Sequence, residues 1–181
     1  MKKLLEKFKQ EKKVVSIYND SADTGNCWTG FVYEVDDDYV LLAHITANGF
    51  YDGFGLFSID GIFRIEQETY YEKKVQRLYE LREQSHPSFD LDMEKDLLEA
   101  FLCYAKSEDL VVSIALTESD DYPSEGLIEE ITEEFIGLKL IKNHGFEDGF
   151  AYVKMEDICF VFVDSLEEQS LKLLYNDLNK N

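Results

Sequence analysis

The residues able to do chemistry are few, and their spacing is the first thing to weigh. His44 and His144 carry side chains that titrate near neutrality and suit a general base or a metal ligand. His144 stands four residues before Asp148, a separation that would hold a metal on one face of a helix. Here it is followed at once by Gly145, and the pair reads as a hairpin turn instead. Asp36-Asp37-Asp38 and Thr132-Glu133-Glu134 offer oxygen donors to a divalent cation, but without the spacing of a calcium loop they read as solvated turns. Of the three cysteines, Cys27 lies beside Trp28 with nothing basic adjoining it to stabilise a thiolate. A nucleophilic site needs a base and a group that orients it, and no such set is present. The sequence therefore predicts no catalytic, cofactor-binding or metal-ligating residues.

The elements that position these residues are announced by a repeat. Gly49-Phe50-Tyr51-Asp52-Gly53-Phe54 returns 96 residues later as Gly145-Phe146-Glu147-Asp148-Gly149-Phe150. Gly30–Ile65 aligns with Gly126–Val161 without a gap, and ten of the 36 positions are identical, as expected of an internal duplication. The alignment sets His44 against Leu140 and Cys159 against Phe63, which reads both as packed residues.

Each unit is expected to run helix, five strands, helix. Residues 2–12 read as a helix with Leu4, Leu5 and Phe8 on one face. Strands follow at Val14–Tyr18, Trp28–Val35 and Tyr39–Thr46, then a stretch from Phe54 to Ile59 and a short strand from Ile62 to Ile65. Asn48-Gly49 is the expected hairpin turn and Asp52-Gly53 a bulge. Alternation along Val40, Leu42 and His44 predicts one buried row, the mixed opposite row facing outward. Val75, Leu78, Tyr79 and Arg82 match Leu171, Leu174, Tyr175 and Leu178 as one stripe of a closing helix. Ser85-His86-Pro87-Ser88 breaks the pattern, so the units are expected at 1–84 and 90–181, joined by a linker at 85–89. The second unit opens with a helix from about Leu91 to Lys106 and the strand Val111–Ile114.

Composition narrows the function classes. Of 181 residues 45% are hydrophobic and 14% aromatic, enough for a folded core. No apolar run is long enough to span a membrane, the charged opening Met1–Lys7 argues against a secretory signal, and three scattered cysteines suit a reducing cytoplasm. The net charge of −20 is unevenly shared: residues 1–88 carry −4 and residues 89–181 carry −16. The second half repels phosphates and anionic lipid. Only the lysines at 2, 3, 7, 9, 12 and 13 run the other way, and they read as a solvated helix face.

Five short strands after an N-terminal helix, with Trp28–Leu42 carrying Gly30, Val32, Val35, Asp36, Tyr39 and Leu42 in place, resemble the Sm-like small β-barrel family. The chain is similar to duplicated small-barrel proteins of undefined role from low-GC Gram-positive bacteria. The resemblance implies an α+β, mainly β, architecture of two tandem Sm-like five-stranded barrels with flanking helices. The family's base-contacting asparagine falls at Val40 and Ile136, and its basic second segment at Ile59-Asp60-Gly61 and Met155-Glu156-Asp157, so the RNA-meeting groups are missing. The expectation is a non-enzymatic cytoplasmic module that binds a protein or a second copy of itself, without a cofactor or small-molecule ligand. The alternatives are RNA binding through the first barrel and the lysine-rich helix, and a metal-dependent or hydrolytic enzyme with an unrecognised pocket. Tyr18, Phe50, Tyr51, Phe54, Phe146 and Phe150 are the candidate interaction surface, since aromatic residues on loops favour contact.

Overall fold

The computed structural model describes residues 1–92, 94–117 and 123–180. The chain divides into two units, Met1–Asp90 and Leu91–Asn181. In the first, helix α1 (Lys2–Glu11) precedes strands β1 (Val14–Tyr18), β2 (Trp28–Val35), β3 (Tyr39–Ile45), β4 (Tyr51–Ser58) and β5 (Arg64–Gln67), and helix α2 (Tyr70–Leu81) closes the unit. In the second, α3 (Leu97–Ser107) precedes β6 (Val111–Leu116), β7 (Ser124–Ile131), β8 (Phe135–Ile141), β9 (Glu147–Lys154) and β10 (Ile158–Val163), followed by α4 (Leu166–Leu178).

The strand order is β5-β1-β2-β3-β4 in the first unit and β10-β6-β7-β8-β9 in the second, with antiparallel neighbours throughout each unit. This corrects the expectation of two closed Sm-like barrels. Closing a five-stranded barrel requires β4 to pair with β5, and β9 with β10. Instead the link after Ile59 carries the chain across to the far side of β1, where Tyr18 faces Arg64 and Val15 faces Gln67. The four residues of β5 satisfy their ladder on β1, so each unit is an open antiparallel sheet in a mixed α+β fold that is mostly strand.

Local chemistry explains the element ends. Leu5 and Phe8 seat α1, while Leu4, expected on the same face, is 42% exposed. Helix α3 starts at Leu97 rather than Leu91, because the Asp96 carboxylate accepts the Glu99 N–H at 2.8 Å and caps it there. Residue 93, inside the expected helix, lies outside the described residues. Strand β5 begins two residues later than expected, since Ile62 N–H first returns to the Ile59 carbonyl in a turn. Asn48-Gly49 forms the expected turn, with Gly49 at φ +76° donating to the Thr46 carbonyl. The register shifts between Ala43 and Ile45, which places the bulge at Asp52-Gly53 as the sequence predicts.

Val40, Leu42 and His44 form the expected buried row, but Leu41 and Ala43 on the opposite face are buried too. In the first unit the sheet is therefore covered on both faces, against the expectation of one. On the face beneath α2, Val75 and Tyr79 pack with Val14 and Ile45; Leu171 of α4 does the same with Val111, Leu127 and Ile141.

Candidate functional site

The six aromatic candidates separate once their surroundings are drawn. Tyr18 is buried: its hydroxyl donates to Glu66 at 2.8 Å and the Arg64 guanidinium stacks 3.6 Å above its ring. Burial first, and the Glu66 hydrogen bond second, push its phenol well above the ordinary range. Phe54 is also buried, at 1% exposure, and Tyr51 is half-buried against the His86 ring at 4.6 Å. Phe50 is 42% exposed under the Arg82 guanidinium. Phe146 and Phe150, the two candidates in the second unit, lie open at 59% and 60%.

What covers Phe54 is the segment 85–89, read from sequence as a linker. It packs within the first unit. The Phe54 ring meets Phe89 at 4.9 Å, His86 at 5.2 Å and Tyr33 at 5.4 Å. The Tyr33 hydroxyl donates to the Phe89 carbonyl at 2.8 Å and accepts the Phe89 N–H at 2.9 Å. His86 Nε2 lies 2.9 Å from the His44 carbonyl and 3.1 Å from the Gly53 carbonyl. Carbonyls only accept, so Nε2 carries the proton and Nδ1 accepts from the Tyr79 hydroxyl at 2.7 Å. Burial of this neutral ring depresses its pKa to about 4.

At the register-matched place in the second unit the same strand face is bare. Phe54 faces Ala43 across the ladder and Phe150 faces Lys139, each pair 96 residues from the other. Tyr33 is replaced there by Glu129 and Tyr51 by Glu147, and the Lys139 ammonium lies 3.1 Å from the first carboxylate and 3.9 Å from the second. Tyr152, missed by the sequence reading, is 68% exposed two residues beyond Phe150 and leans edge-on against Phe135 at 5.8 Å. Its alternation with Phe150 along β9 was the available signal. Among the described residues β9 ends the strand order, with β8 its one strand neighbour.

Two buried carboxylates also escaped the sequence reading. Glu72 accepts from Ser16 Oγ at 2.6 Å and from the Thr69 N–H at 3.0 Å; Glu168 accepts from Ser113 Oγ at 2.5 Å and from the Ser165 N–H at 2.9 Å. Thr69-x-x-Glu72 and Ser165-x-x-Glu168 are capping boxes at an offset of 96, a legible signature. Ser16 faces Thr29 across the sheet, whereas Ser113 faces Glu125. Burial, then the Glu168 and Glu167 carboxylates, raise the Glu125 carboxyl above its usual range. Helix α4 and the start of β6 border an open groove of about 250 Å³, lined by Leu110, Val111 and Leu173 together with Asp164, Glu168 and Lys172.

The chemistry-bearing residues have structural partners. His44 Nδ1 lies 3.2 Å from an Asp52 carboxylate oxygen. His144 occupies the turn closed by Gly145, and Asp148 pairs with Lys142 at 2.8 Å. Asp36 accepts from the Asp38 and Tyr39 N–H groups, and Thr132 caps the turn at Phe135. Cys159 donates to the Ala115 carbonyl and burial raises its thiol pKa. Among the described residues no group of three or more His, Cys, Asp and Glu is arranged to hold a metal, and no helix is long and apolar enough to cross a membrane. No protein-family model, curated protein or solved structure matches the chain.

Proposed function

We propose that the chain is a non-enzymatic module, built from two copies of one ancestral unit, that binds a protein partner through the outward surface of its second unit. The observation that carries this reading is the unequal burial of matched positions: Phe54 and Leu56 are at 1% and 0%, while Phe150 and Tyr152 are at 60% and 68%. Large apolar groups left in water favour a surface that another molecule covers. Leu173 and Leu178 of α4, exposed at 71% and 41%, are further apolar groups left open in the second unit.

Charge supports a different protein over a second copy, since two chains of net −20 repel one another. It also disfavours RNA: Lys2, Lys7, Lys9 and Lys13 of the opening segment are paired with Asp37, Glu11, Glu34 and Glu68. The reading sets the protein in the cytoplasm, where its free cysteines stay reduced. The test is affinity capture from the native cell with wild-type chain and the double variant Phe150→Ser, Leu173→Lys. A protein retained by the first and released by the second supports the reading; recovery of the same proteins by both, or of RNA alone, refutes it.

A further inference from the structure

We infer that the outer side of β9 receives an extended partner segment bearing an aromatic residue among basic ones, its ring set against Phe150 as the Phe89 ring is set against Phe54 in the first unit. This rests on the binding-module reading above and names the partner's chemistry.

The first unit supplies the template. There an irregular segment lays a phenylalanine edge-on against Phe54 at 4.9 Å and sends one imidazole N–H to the His44 and Gly53 carbonyls beside the bulge. The second unit keeps the bulge and the phenylalanine, while Glu129 and Glu147 replace Tyr33 and Tyr51. The register shifts between Lys139 and Ile141, as it does between Ala43 and Ile45, so Leu140 and Gly149 stand where His44 and Gly53 stand. Phe150 occupies the place of Phe54, and among the described residues no atom beyond the neighbouring Asp148 and Phe150 lies within 4 Å of where a Gly149 side chain would begin. The ring is present and the space over the bulge is open.

Two features define the occupant. An end strand offers a row of backbone groups to which an extended segment adds by main-chain hydrogen bonds, alternate side chains falling on one face. On that face Phe150 and Tyr152 present rings. Around them Glu129 and Glu147 stand where the first unit has Tyr33 and Tyr51, and Asp148 repeats Asp52, only partly offset by Lys139 and Lys142, in a half that carries −16. A segment with Lys or Arg flanking its aromatic residue is complementary; an acidic one, a second copy of this chain included, is not.

The experiment uses the full chain and short synthetic peptides carrying His-Pro-Ser-Phe flanked by lysines, flanked by glutamates, or with the phenylalanine changed to alanine. Binding is followed by fluorescence anisotropy and mapped by amide chemical shifts. The lysine-flanked peptide is expected to bind and to shift β9 amides, with affinity falling about tenfold or more for the alanine peptide and for the Phe150→Ser chain, and falling with added salt. Phe150 is exposed, so the variant keeps its thermal transition, which is checked alongside. No binding at about 1 mM peptide, equal binding of the alanine peptide, or shifts confined to the first unit overturn the inference. If the peptides fail while a native partner is still captured and is released by Leu173→Lys alone, the binding-module reading stands and this site falls.

Discussion

His86 holds two strands of the first sheet at once: its Nε2–H reaches the carbonyl of His44 on β3 at 2.9 Å while the same proton is shared with Gly53 on β4. A protonated ring would keep those bonds, but would lose its acceptor for the Tyr79 hydroxyl and place a charge among the Phe54, Tyr51 and Tyr79 rings.

Stability of the first unit is therefore expected to fall with acid. The folded pKa of about 4 lies below the ordinary 6.5, so between these values the unfolded chain binds the extra proton. The stabilisation is complete above about pH 6.5 and is lost as pH falls toward about 4, amounting to about 3 kcal/mol at most. Carboxylates titrate in part of this window, so the measurement is a difference: urea unfolding followed by Trp28 fluorescence at pH 7.5 and 5, for wild type and His86→Gln. The wild type is expected to lose more than the variant over that interval; equal losses refute the assignment.

Matched phenylalanines should respond unequally to truncation. Phe54→Ala empties a packed site and is expected to cost about 3–5 kcal/mol. Phe150→Ala removes an exposed ring and is expected to cost under about 0.5 kcal/mol. Chemical denaturation of both variants decides the matter, and similar costs would contradict the burial difference.

The capping carboxylates tie helix to sheet. Glu72→Ala leaves the Ser16 hydroxyl and the Thr69 N–H without their acceptor, and is expected to cost about 2–4 kcal/mol. Glu72→Gln keeps one acceptor oxygen and is expected to cost less than half as much. Hydrogen exchange of the α2 amides should rise in step with the lost stability.

Gly49 and Gly145 are expected to resist substitution for the same reason. Both lie at positive φ, and a Cβ would collide with the helix backbone, at Leu78-Tyr79 in one unit and Leu174-Tyr175 in the other. Gly49→Ala should destabilise by about 2 kcal/mol or more, read as a lowered midpoint in urea. Gly61→Ala, with ordinary contacts around it, is the control and is expected to change little.

Much of this was legible residue by residue. β-branched runs bounded by Asn, Asp and Gly marked β1 to β3, and Asn48-Gly49 with Asp52-Gly53 marked the turn and the bulge. Closure was not legible, because whether β5 meets β4 depends on where the chain crosses after Ile59, and no local pattern encodes that. The difference between the two copies was not legible for a related reason. Phe54 and Phe150 sit in the same local sequence, and only the tertiary position of Phe89 distinguishes a covered ring from an open one. Glu72 and Glu168 were readable from their caps, but their burial under Ser16 and Ser113 required the sheet.

The hydroxyl of Tyr33, clasping both the N–H and the carbonyl of Phe89, has a practical corollary for anyone wishing to sever the chain. A fragment stopped at residue 84 strips the lid from Phe54 and should precipitate, whereas one carried through Asp90 retains it. For the same reason chymotrypsin should spare the bond after Phe89, and cleavage there should appear only after urea has loosened that clasp.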